Sequence, residues 1–198
     1  MRTLITRTAI ALAATACLSS TAWAGDKYIV VSAGATTYSG TAQADNDAAL
    51  VRAGASNVQS NMGSNGSGYK FLLGYQFTPN FAVEGGYLDL GSMSYSATHA
   101  TGTLNTDIKT IGYTVAAVGI APVNNDLSFF GKAGLTMANV KGTGSGGGIT
   151  VSTNEDKSSL SYGVGLTYQF NDKLGLRTEL ERVATDINLF SLGLQIKY

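Results

Sequence analysis

Histidine and cysteine each occur once in this 198-residue chain, at His99 and Cys17, and proline occurs twice. Cys17 falls in the leader described below, so the chain beyond it offers neither disulfides nor thiol chemistry. Charge is also scarce, since Asp, Glu, Lys and Arg make up 13% of the residues against about 25% in an average soluble domain. Arg2 and Arg7 belong to the leader; the remaining 11 basic residues face 13 acidic ones, a formal charge of −2. Without a basic surplus there is no nucleic-acid footprint, and without an acidic block there is no solvating tail. No apolar run near 18 residues follows the leader, which excludes a helical membrane span. An exported, charge-poor chain can still enter a bilayer as a closed β-barrel, which satisfies every backbone group by pairing its edges.

The leader is read from its first 24 residues. Arg2 and Arg7 give a positive start, Ala9 to Leu18 form a short apolar run, and Ala22-Trp23-Ala24 is a small-x-small cleavage site. This is the pattern of a secretory signal peptide, too short for a transmembrane helix. Ala14-Thr15-Ala16 before Cys17 match a lipobox poorly, so lipoprotein processing is the weaker reading. The expected organisation is a cleaved segment 1–24 and a single domain over 25–198.

Beyond the leader, 25 glycines and many Ser and Thr residues punctuate strict two-residue alternation. Tyr69, Phe71, Leu73, Tyr75 and Phe77 alternate with Lys70, Leu72, Gly74 and Gln76. The pattern returns over Phe81–Tyr87, Ile111–Ala117, Phe129–Ala138, Leu160–Phe170, Leu174–Glu181 and Phe190–Tyr198, with Lys27–Thr37 as a less clearly phased first strand. These make eight strands of the length a membrane requires. Connections at 78–80, 122–126 and 171–173 are short, whereas those at about 39–68, 91–107 and 141–157 are long, with a shorter one near 184–187. Short periplasmic turns alternating with long external loops are the signature of an outer-membrane barrel. Tyr69, Phe77, Phe81, Tyr87, Tyr168, Phe170 and Tyr198 sit at strand ends, where interfacial girdles form. A soluble lipocalin-type barrel also alternates, but it needs a charged outer face; here the non-apolar face is mostly Gly, Ser, Thr and Gln. The expected fold is all-β, an eight-stranded antiparallel up-and-down transmembrane β-barrel in the outer membrane of a Gram-negative cell.

Three stretches carry a family resemblance. "FLLGYQFTPNFAVEGGYLDLG" (71–91), "FFGKAGLTMANVK" (129–141) and "KLGLRTELERV" (173–183) resemble strands and hairpins of OmpA-like outer-membrane barrels, including the opacity and porin-type members. The resemblance implies a barrel-only member without a peptidoglycan-binding domain, a largely plugged interior, and insertion by the outer-membrane assembly machinery after escort by periplasmic chaperones. It further implies surrounding outer-membrane lipid and lipopolysaccharide and a monomeric state. Phe190, Leu192, Leu194, Ile196 and Tyr198 resemble the carboxy-terminal assembly signal of such barrels, with Tyr where Phe is commoner. Family roles range from adhesion and envelope integrity to small-solute permeation, and the fold does not choose among them.

Four charges share the phase of the small polar residues: Glu84, Lys132, Arg177 and Glu179. Counted outward from the short turns, they fall at similar depth in the lumen. Charges buried in so narrow a barrel must pair, so a mutual salt-bridge network is expected, preferred over a narrow gated conduction path. Catalysis has little support. His99 lies in the presumed second loop with Ser96 three residues away, which does not make a triad, so a lipid A-modifying enzyme ranks last. "GTGSGGG" (142–148) lacks the Lys-Ser/Thr of a phosphate loop, and "DNDAAL" (45–50) lacks the Gly and terminal Glu of a calcium loop. The latter reads instead as a short helix capped by Asp45 or Asn46 and ended at Gly54. No cofactor, metal site or catalytic residue is expected. The leading function is a structural and surface-interaction role through external loops; a narrow solute channel is the alternative.

Overall fold

The computed structural model describes residues 25–38, 40–52, 54–63, 65–99, 102–146 and 149–198; the expected signal peptide, 1–24, lies outside them. In chain order the elements are β1 (Asp26–Tyr38), α1 (Gly40–Arg52), β2 (Gln59–Met62), β3 (Asn65–Thr78), β4 (Phe81–His99), β5 (Gly102–Pro122), β6 (Leu127–Gly146), β7 (Ile149–Gln169), β8 (Leu174–Ala184) and β9 (Ile187–Lys197). From β3 to β9 each strand pairs antiparallel with the next, and β1 pairs with both β3 and β9. That closes a ring of eight strands. The short β2 stands outside the ring and pairs with the upper part of β4, from Gln59↔Thr98 to Met62↔Tyr95.

Alternation sorts the side chains as the two solvents demand. Along β6, Phe129 and Leu135 face outward, while Phe130, Lys132 and Thr136 are buried in the lumen. On β9 the outward set is Phe190, Leu192, Leu194 and Ile196, followed by Tyr198; Ser191 and Gln195 point inward. Six of the seven presumed girdle aromatics are exposed on the wall. The seventh, Tyr87, packs edge-on against Tyr113 with ring centroids 5.7 Å apart. Two of the short turns share one device: Asn124 Oδ1 accepts from the Asp126 and Leu127 amides, and Asn171 Oδ1 from the Lys173 and Leu174 amides. Each carbonyl oxygen satisfies two turn amides at once, which lets the chain reverse in four residues.

The stretches expected to be loops at 91–107 and 141–157 are mostly strand. β4 stays paired with β5 up to His99↔Gly102, and β6 with β7 up to Gly146↔Ile149. The register slips between Asp89 and Ser92, at Gly91, whose φ is 79°. A glycine in this left-handed conformation makes a β-bulge and shifts the phase of everything after it. Before the bulge the inward residues of β4 are Glu84, Leu88 and Leu90; after it they are Met93, Tyr95, Ala97 and His99. A second inversion accompanies the first. Above the bilayer water lies outside, so apolar side chains turn in: Met93, Tyr95, Ala97, Leu104 and Ile108 join the core, and Ser92 and Ser94 face out.

His99 is accordingly buried at the end of β4 rather than placed in a solvated loop. Ser96, three strand positions away, projects from the opposite face, so the two form no catalytic pair. Helix α1 starts at Gly40, five residues before the expected cap, because Gln43 and Ala44 ahead of Asp45 sustain helix equally well. It does end at Gly54, where the Gly54 amide bonds to Val51 O and the Ala55 amide to Leu50 O, both at 3.0 Å. Leu50 and Ala55 join the hydrophobic core. The helix is fixed to the strands through Asp47, which accepts from the hydroxyls of Ser60 (2.8 Å) and Tyr95.

Candidate functional site: a buried charge cluster in the lumen

The lumen is built from small residues facing large ones. Gly74 lies in register between Tyr28 and Glu84, Gly163 between Lys132 and Glu181, and Gly165 between Phe130 and Glu179. A Cβ at Gly74 would fall 2.1 Å from the Tyr28 ring, and one at Gly165 2.4 Å from the Phe130 ring. These glycines make the room into which charged side chains reach from both neighbouring strands.

Six charged residues meet there, each 5% exposed or less: Lys70, Glu84, Lys132, Arg177, Glu179 and Glu181. Arg177 grips Glu84 with both ends of its guanidinium, Nη1–Oε1 at 2.5 Å and Nη2–Oε2 at 3.1 Å, and its Nη2 reaches Glu179 at 3.2 Å. Such a two-pronged contact is the geometry in which arginine pairs best with a carboxylate. Lys70 Nζ lies 3.0 Å from both Glu179 and Glu181; Lys132 Nζ touches Glu179 and lies 2.9 Å from Glu181. The Tyr28 hydroxyl donates to Glu84 at 2.7 Å, and Phe130 presents its ring face 3.9 Å from the Arg177 guanidinium carbon. Three cations and three carboxylates leave the cluster with no formal net charge. That balance is what allows full burial, since an unpaired ion there costs several kcal/mol.

The structure therefore brings Glu84, Lys132, Arg177 and Glu179 together and adds Lys70 and Glu181. Both added residues lie in the lumen-facing phase, Lys70 with Leu72 and Gly74, Glu181 with Arg177 and Glu179, and phase was the signal that marks them. Beside and beyond the cluster on its outer side stand Leu88, Leu90, Val183 and Leu189, all fully buried. On the periplasmic side it is met by a small vestibule among the short turns.

A membrane-type wall, alternating turns and hairpins, and a self-neutralised lumen describe an outer-membrane barrel. The family described as outer membrane protein beta-barrel domain matches residues 10–197. The chain belongs to this family. No curated protein matches the sequence. Among solved structures, Ail of Yersinia pestis with the heparin analogue sucrose octasulfate is 17% identical and overlays with a TM-score of 0.52, covering 88% of this chain and 99% of Ail. Neisserial surface protein A is 15% identical with a TM-score of 0.56, over 87% of this chain and 97% of its own. OprG of Pseudomonas aeruginosa is 10% identical, again with a TM-score of 0.56, over 89% and 98%. At such identities the likeness is one of fold: this barrel-family member shares the eight-stranded outer-membrane architecture, and its inner residues must speak for themselves.

Proposed function

We propose that this barrel is a non-conducting outer-membrane scaffold that acts through its external face. The observation that carries this reading is the filled lumen: a neutral, six-membered charge cluster under a layer of buried leucines and valine. Eight strands leave width for little more than side chains, and here side chains from most of the ring occupy it. The two hairpins β4/β5 and β6/β7, with α1 and β2, offer a paired and therefore rigid surface outside the membrane. Rigid scaffolds of this kind commonly present binding residues at their tips. The complex of the similarly folded Ail with a heparin analogue supports an interaction role. A sulfated polymer is not carried over, since the β6/β7 hairpin mixes Lys141 and Lys157 with Glu155 and Asp156.

Conductance decides between scaffold and channel. The refolded barrel in a planar bilayer is expected to stay silent at physiological salt; reproducible single-channel steps would overturn the scaffold reading.

We further infer that the leader directs export and that periplasmic chaperones and the assembly machinery read the last strand. A monomeric barrel surrounded by lipid and lipopolysaccharide is the resulting state. β9 carries an unbroken apolar outward row ending at the exposed Tyr198. Tyr198→Asp places a charge on that row. It is expected to lower the amount of folded barrel in outer-membrane fractions several-fold while leaving refolding into detergent unchanged. Equal membrane levels for the two proteins would reject the signal.

A further inference from the structure

A cavity of about 230 Å3 opens at the periplasmic end of the barrel, beneath the charge cluster. Pro79, Pro122 and Asn124 from the short turns stand at its mouth, and Arg177 and Phe130 form its inner end. We propose that this vestibule binds a small carboxylate carrying an apolar group, taken from the periplasm.

The polar side of the argument begins with Arg177. Its Nη atoms serve Glu84 and Glu179, yet its buried Nε has no hydrogen-bond partner among the described residues. A buried N–H without a partner costs about 1–3 kcal/mol, so a ligand oxygen at this point gains what the fold leaves unmet. Arg177 is 3% exposed and lines the cavity, so the donor is fixed by packing before any ligand arrives. Gln169 and Gln195 also line the space, and the Gln169 side-chain oxygen is buried and unpartnered. Amide oxygen and nitrogen interchange by a simple flip, so both glutamines can turn an N–H to an incoming oxygen.

Charge points the same way. Arg177 and Lys197 line the cavity and, among the described residues, no Asp or Glu does. Arg177 is balanced by Glu84 and Glu179, so it offers its Nε–H as a donor while the attraction of charge comes from Lys197. Glu84, the carboxylate held by Arg177, is covered by the Tyr28 hydroxyl that donates to it. Asp26 reaches Lys197 only at 3.5 Å and at the exposed rim, so Lys197 remains available to an anion entering the mouth. The apolar requirement comes from Val118, Ile120 and Pro122, which form one wall opposite the glutamines. The volume equals that of about eight water molecules at about 30 Å3 each, room for a small organic acid. Because the cluster closes the lumen above, the site binds without passing its ligand outward.

The test is calorimetric titration of the full barrel, refolded in zwitterionic detergent, with N-acetyl-leucine, its neutral amide, and inorganic phosphate. The acid is expected to bind saturably with Kd of about 1–10 mM, at least about tenfold tighter than the amide or phosphate. Lys197→Gln and Gln195→Leu, which leave all six cluster charges in place, are each expected to weaken the acid about threefold or more. Lys109→Gln, at the other end of the barrel, is expected to change nothing. Equal binding of acid and amide would overturn the proposal, as would phosphate binding as tightly as the acid. No saturable heat, or indifference to both vestibule variants, would mean that water alone fills the cavity.

Discussion

Arg177→Ala is expected to destabilise the barrel by about 3–5 kcal/mol, the usual cost of breaking a buried ion pair from one side. The substitution leaves Glu84 buried with only the Tyr28 hydroxyl as donor. It also removes the guanidinium from the Phe130 face. The lumen then holds three carboxylates against two lysines. Glu84→Ala creates the opposite imbalance, since Arg177 retains a single ion pair, to Glu179. The double variant restores neutrality: Lys70 and Lys132 still meet Glu179 and Glu181. Its loss is therefore expected to fall short of the summed single losses by at least about 1 kcal/mol. Urea unfolding from lipid vesicles measures all three differences. Losses that add within about 0.5 kcal/mol would mean that the two residues act independently.

The membrane-spanning part of the fold is legible in the sequence because lipid and lumen impose opposite chemistry on alternate residues. Phe129, Leu135, Phe190 and Leu192 face outward where the pattern puts them. The same logic fails above the bilayer for two specific reasons. Gly91 moves the inward phase of β4 from even to odd positions, and beyond it the apolar side faces in rather than out. A strand whose phase and polarity both flip midway reads as a loop rich in Ser, Thr and Gly. The paired hairpin over 92–109 was hidden in this way; the one over 141–154 keeps its register and was hidden because its Gly, Ser and Thr residues carry no apolar alternation.

Phase alone puts all six members of the charge cluster in the lumen, the four expected and Lys70 and Glu181 with them, and it stops there. Phase does not say which charges meet, and Lys70, at the head of its alternating run, shows why. Only the stagger of the closed barrel brings it to Glu179 and Glu181, whose strand lies 111 residues away in sequence. Partner choice depends on shear, which is a property of the ring and not of any one strand. The vestibule is hidden for a similar reason, since its lining comes from turns and strand ends all round the ring.

Gly34→Val is expected to abolish folding altogether, and the reason lies at the seam where the ring closes. β1 and β9 are joined from Tyr28↔Lys197 to Tyr38↔Ile187, with Gly34 opposite Ser191. A Cβ on Gly34 would fall 1.8 Å from the carbonyl oxygen of Phe190. A clash with backbone, unlike one with a flexible side chain, is relieved only by moving the strand. Moving β9 strips the ladder along its length and leaves two sheet edges open. In lipid each unsatisfied backbone group costs several kcal/mol, so partial closure has no stable form. Gly131→Val is the matched control, because its Cβ meets nothing nearer than 3.9 Å and points to the lipid side. Heat-modifiable migration and protease resistance after refolding report closure directly. Gly131→Val is expected to match the parent barrel, while Gly34→Val shows no folded band. A folded Gly34→Val protein would mean that the β1–β9 seam is looser than its register implies. The terminal strand's role would then lie in recognition rather than in closing the ring.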